Sequence, residues 1–147
     1  MNLQTVLIYI FLFVIISLGI GCNPSSTRDS IRKSDLVGTK WKLTNLTKNR
    51  ELLTVEDSEE FSLEFRDELI GGRFGCNNYQ AGWVLGSDGR FALSGPIAVT
   101  KVGCLSTVQD LENSYITVLE NAHTIVMDQE ILVLSSTDGQ LVFEDNK

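Results

Sequence analysis

Between Leu36 and Lys147 one segment carries a helical stripe, and everything around it reads as short strands. Val108, Leu111, Tyr115, Val118, Leu119 and Ala122 recur at steps of 3, 4, 3, 1 and 3, one face of an α-helix from Ser106 to about Ala122. Ser106 with Gln109 three later reads as a capping box at its start. Elsewhere the period is two. Trp41 to Leu46 alternates apolar with polar, and so does Phe61 to Arg66. Leu69 to Phe74 follows, with Gly71-Gly72 predicting a bulge or sharp bend inside it. Tyr79 to Leu85 and Arg90 to Leu93 flank Ser87-Asp88-Gly89, a strong hairpin signal. Ile97 to Val102 reads as another strand. Thr124 to Val126 with Ile131 to Leu134, then Gln140 to Glu144, close the region. About eight strands and one amphipathic helix predict a mainly β (α+β) fold. The sheet is a small curled antiparallel one or a partly open barrel, with the helix filling an opening or covering one face.

The N-terminus is of another kind. Val6 to Gly21 is an apolar run of 16 residues, and no charged side chain precedes Cys22. A spanning helix needs roughly 20 apolar residues, so the run is short for an anchor and long for a signal-peptide core. Gly21 supplies the small residue that signal cleavage needs, and Asn23 to Arg28 turns polar at once. This is how a bacterial lipoprotein signal reads. A basic start is missing, and Gly19 stands where Leu is usual; an uncleaved signal anchor is the rival reading. The expected organisation is a signal peptide over residues 1–21, a flexible tether over 22–35 starting at lipidated Cys22, and a domain over 36–147. Several acyl chains on Cys22 would hold the chain at the membrane, since each buried CH₂ contributes roughly 0.8 kcal/mol. Asn23, where Asp would mark inner-membrane retention, points to the outer membrane facing the periplasm.

The chain has a formal net charge of −7. The tether holds three cations and two anions, so residues 36–147 carry −8. No Lys/Arg stripe is present, which excludes a nucleic-acid partner. With Cys22 lipidated, Cys76 and Cys104 remain as an even pair in an oxidising compartment, and a disulfide is expected. It would close a loop of roughly 27 residues and contribute about 3 kcal/mol. Two buried free thiols are the alternative. No metal and no cofactor are expected, because His123 is the sole histidine and no C-x-x-C occurs.

Gly72-Arg73-Phe74-Gly75-Cys76-Asn77-Asn78-Tyr79 resembles the G-x-x-G-C-N-x-Y signature of the META/HslJ domain family. Thr100-Lys101-Val102-Gly103-Cys104 is similar to the family's T-x-M-x-C segment, with Val102 in place of Met. Trp41, Glu112 with Tyr115 and Leu119, Leu132 to Leu134 and Leu141 to Phe143 extend the resemblance over about Leu36 to Phe143. The motif residues are therefore Gly72, Gly75, Cys76, Asn77, Tyr79, Thr100 and Cys104. The resemblance implies a partly open β-barrel with a packed helix, often borne by bacterial envelope lipoproteins. Members are linked to heat-shock expression, novobiocin resistance and, in trypanosomatid relatives, virulence. The fold is also similar to secretin pilot lipoproteins, which bind lipid or a partner segment. No catalytic activity is implied, and the exchange at Val102 is expected to alter core packing only.

The residue types agree with a non-enzymatic protein. His123 would have to serve any Ser-His or Cys-His pair, and no G-x-S-x-G surrounds a serine. Glu56, Asp57, Glu59, Glu60, Glu64, Asp67 and Glu68 read as a solvated face, with a weak cation site as the other reading. Gly71, Gly72 and Gly75 lack the Lys and the helix of a phosphate loop. Asn77, Asn78 and Tyr79 either satisfy loop backbone or form a polar, aromatic rim at a barrel mouth. Trp41 and Trp83 are expected in the core. The expected role is an envelope binding or stabilising module for an unidentified envelope protein, in the stress setting that the resemblance implies; the second reading is a carrier of a lipid or small hydrophobic ligand inside the barrel.

Overall fold

The computed structural model describes residues 31–55 and 61–147. Cys22, the apolar run before it, and Glu56, Asp57, Glu59 and Glu60 lie outside the described residues. Among the described residues, a short helix α1 (Lys33–Leu36) leads into ten strands and a longer helix. The strands are β1 (Lys40–Lys48), β2 (Glu51–Leu53), β3 (Ser62–Phe65), β4 (Leu69–Phe74), β5 (Asn77–Leu85), β6 (Phe91–Leu93) and β7 (Ala98–Val99). Helix α2 (Ser106–Glu120) follows, then β8 (Thr124–Asp128), β9 (Ile131–Ser135) and β10 (Gly139–Asp145). All pairings are antiparallel, in the order β6-β5-β4-β3-β1-β10-β9-β8. The two ends of that order meet: Arg90 bridges Thr124, and Phe91 N–H donates to the His123 carbonyl at 3.2 Å. The sheet is thus a nearly closed barrel with one seam, which protects edges that an open sheet would expose.

Alternation decides which side chains face inward. In β1 Trp41 and Leu43 are buried, and strict alternation would next bury Asn45. Instead the register with β10 slips between Leu43 and Asn45, and Leu46 returns to the interior. Thr44, in the bulge, donates its hydroxyl to the Val142 carbonyl at 3.1 Å. Two aromatic groups fill the barrel. In one, Trp83 stacks on Phe91 and meets Phe65 edge to face; Phe61, Phe74, Tyr79 and Phe143 surround Tyr115 in the other. Both tryptophans are core residues.

Helix α2 buries Tyr115, Val118 and Leu119, as the stripe predicts, and packs against β1, β9 and β10. The expected capping box does not form. Leu105 is the N-cap, without a side-chain bond, and Ser106 is already helical. The start of the helix is held covalently instead, through Cys104 two residues ahead.

Three further differences have local causes. Gly71 and Gly72 make no bulge: β4 pairs with β5 residue for residue from Leu69–Gly82 to Phe74–Asn77. They permit close approach of backbones, since a Cβ on Gly72 would run into the Ser62 carbonyl. Gly72→Ala should therefore cost about 1–3 kcal/mol, read from the urea midpoint. The strand expected over Ile97 to Val102 shrinks to Ala98–Val99, because the backbone beyond it is engaged by Asn77 and Asn78. The tether expected to reach Asp35 is ordered earlier. Asp35 accepts from the Arg32 backbone N–H at 3.0 Å, Leu36 is fully buried, and Gly38 N–H donates to the Phe65 carbonyl at 2.8 Å.

Candidate functional site

The β4–β5 hairpin closes through Gly75 and Cys76. Gly75 has φ +64, which a two-residue hairpin turn calls for and a side chain would resist. A Cβ there would also lie 2.6 Å from Val108 Cγ1 and 2.8 Å from Glu112 Oε1. The turn is therefore pressed directly onto α2. Four residues of helix bring Glu112 beneath it, one turn on from Val108 and three residues before Tyr115.

Glu112 is 5% exposed, a carboxylate on the apolar stripe. Cys76 N–H donates to its Oε1 at 2.9 Å, and Asn77 Nδ2 donates to Oε1 at 3.1 Å and Oε2 at 3.0 Å. Asn77 is 6% exposed and works in two directions. Its Oδ1 accepts from Val102 N–H at 2.7 Å and from the Thr100 hydroxyl at 3.0 Å, while Nδ2 also reaches the Val102 carbonyl at 3.3 Å. Thr100 Oγ1 in turn accepts from Asn78 N–H at 3.0 Å. The Asn77 side chain thus takes over the ladder where β7 ends. Cys76 and Cys104 are joined by a disulfide, with Cα atoms 6.0 Å apart. Cys104 Sγ lies 3.3 Å from Glu112 Oε1; lacking a proton in the disulfide, it is a contact and not a donor. Hairpin, loop and helix are tied at one point by a covalent bond and a fully satisfied polar network. Among the described residues no buried side-chain nitrogen or oxygen lacks a partner.

Tyr79 continues the network inward. Its hydroxyl is 2.6 Å from that of Tyr115 and 3.0 Å from the Ser62 carbonyl. Donation from Tyr115 to Tyr79 to Ser62 satisfies both phenols. Burial pushes both hydroxyls above the ordinary tyrosine range, because a phenolate has no water there to solvate it. The sign follows from linkage. A phenol whose folded pKa is raised contributes stability that is complete below the unfolded value, about 10, and is lost as pH rises above it. The chain from Cys22 onward holds only these two tyrosines. Its tyrosinate absorbance should stay flat through pH 10 and then rise together with loss of circular dichroism; a separate rise near pH 10 would contradict the burial.

All seven motif residues come together here, and the rim reading of Asn77 and Tyr79 is corrected: both point inward, and only Asn78 is exposed. Val102 is corrected too. It is 56% exposed, and its backbone, not its side chain, does the packing work. His123 is exposed and apart from the cluster, its Nδ1 3.4 Å from the Asn121 carbonyl oxygen. Glu64 pairs with Arg66 and Asp67 with Lys33 on the surface, where such pairs contribute little. The residue that sequence reasoning passed over as a site is Glu112. A charged residue on the helix's apolar stripe was the available signal. Bordering the cluster, an open groove of about 520 Å³ is lined by Ser62, Arg66, Gly72, Asn78, Tyr79 and Thr100, and a second of about 500 Å³ lies at the β8–β9 turn.

The family model described as the META domain matches residues 34–147. No curated protein matches the chain. Among solved structures, the chain is similar to a protein from Burkholderia xenovorans solved by NMR, with TM-score 0.66 at 16% identity, covering 78% of this chain and 86% of that one. A second NMR structure has TM-score 0.60 at 18% identity, over 78% and 94%. A DUF4847 family protein from Bacteroides vulgatus has TM-score 0.55 at 16% identity, over 78% and 97%. At these identities the likeness shows a shared fold.

Proposed function

The chain belongs to the META domain family, and on that premise we propose that it is a non-enzymatic binding or stabilising module of the bacterial envelope, held to the membrane by acyl chains on Cys22. One observation carries the reading: the motif is turned inward. Cys76, Asn77, Tyr79 and Glu112 spend their polar groups on one another and on the backbone of Ser62 and Val102. A motif used in this way builds a rigid support, and recognition falls to the outer surface. The aromatic groups around Tyr115 and Trp83 occupy the barrel interior, so a lipid carrier would have to displace them. The apolar run, the small residue at Gly21 and the polar segment after Cys22 support the anchor. The acidity of residues 36–147 supports a partner other than nucleic acid. The family resemblance suggests an envelope-stress setting, and Asn23 after Cys22 supports an outer-membrane location.

Native mass spectrometry of the full-length gene product, extracted from membranes in detergent, tests this. The expected mass begins at Cys22, carries acyl chains, lacks two hydrogens for the disulfide, and holds no other species. Cys22→Ser should lose the acyl mass and retain residues 1–21. An unchanged mass and membrane fraction in Cys22→Ser would refute the anchor, and a non-covalent lipid-sized adduct would favour the carrier.

A further inference from the structure

We propose that Cys76, Cys104 and Glu112 form a site with two states: a staple while the disulfide is intact, and a binding site for a thiophilic divalent cation of the zinc class once it is reduced. The two Sγ atoms and a Glu112 carboxylate oxygen all lie within 4.8 Å of one another. The ligand types are those that zinc accepts, thiolate and carboxylate. They come from a tight hairpin turn and from a helix and its entry, and the backbone holds the Cα atoms of the two cysteines 6.0 Å apart.

The carboxylate is the second observation. Glu112 is buried, yet among the described residues no Lys, Arg or His pairs with it; only the N–H groups of Cys76 and Asn77 face its charge. These neutral donors satisfy its oxygens in the disulfide state but supply no counter-cation for a buried carboxylate. These donors also orient it as an outer shell orients a metal ligand, and Asn77 is itself held by Thr100 and Val102. Both cysteines are half-buried, which leaves an entry path. With zinc–sulfur bonds of about 2.3 Å, the sulfurs must part to roughly 3.8 Å, which rotation about the Cα–Cβ bonds can supply.

A dithiol reductant of the thioredoxin class gives two electrons and two protons to the S–S bond and leaves as its own disulfide. Two thiols remain. The cation displaces both thiol protons to solvent and takes two thiolates and the Glu112 carboxylate, with a fourth position for water.

The test uses the full chain carrying Cys22→Ser in detergent, so that Cys76 and Cys104 are its only cysteines. The protein is reduced, freed of reductant without oxygen, and titrated with Co²⁺ as the probe. The proposal expects one equivalent bound with thiolate-to-cobalt charge-transfer absorption in the reduced protein and none in the oxidised protein. Glu112→Gln should weaken binding by about tenfold or more, and Cys104→Ser should remove most of the absorption. Near-ultraviolet circular dichroism reports whether the reduced chain is folded. Absence of the band in folded reduced protein, equal binding by Glu112→Gln, or binding only by an unfolded chain would each overturn the proposal.

Discussion

Asn77→Asp should lower stability by about 3–5 kcal/mol at neutral pH, the cost of an uncompensated buried charge. The side chain keeps its shape, so the effect isolates chemistry. Nδ2 is the atom that donates to both Glu112 oxygens and to the Val102 carbonyl. Replacing it with oxygen sets four acceptors against one another. Two carboxyl groups about 3.0 Å apart share a proton and do not both ionise. The sign with pH follows. Such a pair holds its proton to higher pH folded than unfolded, so its contribution is complete below the unfolded carboxyl range, about 4, and lost as pH rises. The gap between variant and wild type should narrow on acidification. A gap that is constant from pH 4 to pH 8 would mean that Asn77 acts through its shape alone.

Removing the disulfide should have an effect of similar size. Cys76 and Cys104 are 28 residues apart, and closing a loop of that length contributes about 3–4 kcal/mol by restricting the unfolded chain. Cys104→Ser and reduced wild type should show the same fall in urea stability. A domain of ordinary stability, about 5–15 kcal/mol, remains folded after that loss. The loop before α2 keeps its bonds through Thr100 and Val102. A loss below about 1 kcal/mol would show that the polar network alone fixes the loop.

Much of this fold can be read in the sequence because most strands have one wet face and one dry one. Ser62 to Phe65, Asn77 to Trp83 and Gln140 to Phe143 alternate as written and fold as written. The Asp88-Gly89 turn is equally plain, with Gly89 at φ +79. The β1–β2 hairpin was not visible because its turn residues, Asn49 and Arg50, adopt φ +53 and +68 without the usual glycine. The bulge at Thr44 shows in the sequence only as the paired polar residues Thr44-Asn45 between Leu43 and Leu46, and the pairing with β10 identifies it as a change of phase. Of the site, the motif and its disulfide pair were legible, but the direction of its side chains was not. Asn77 and Asn78 are the same residue type side by side, and strand parity alone sends one inside and the other to solvent. Glu112 stood out of pattern on the stripe, yet its partners lie 35 and 36 residues away in the chain.

The central claim is that the motif acts as a connected support for the barrel, with Asn77 and Glu112 as its coupled centre. A double-mutant cycle tests it most directly, with urea unfolding of wild type, Asn77→Ala, Glu112→Gln and the double variant. The account predicts a coupling energy of about 1–3 kcal/mol, because each side chain loses its reason for burial when the other is gone. Additivity to within about 0.5 kcal/mol would contradict it.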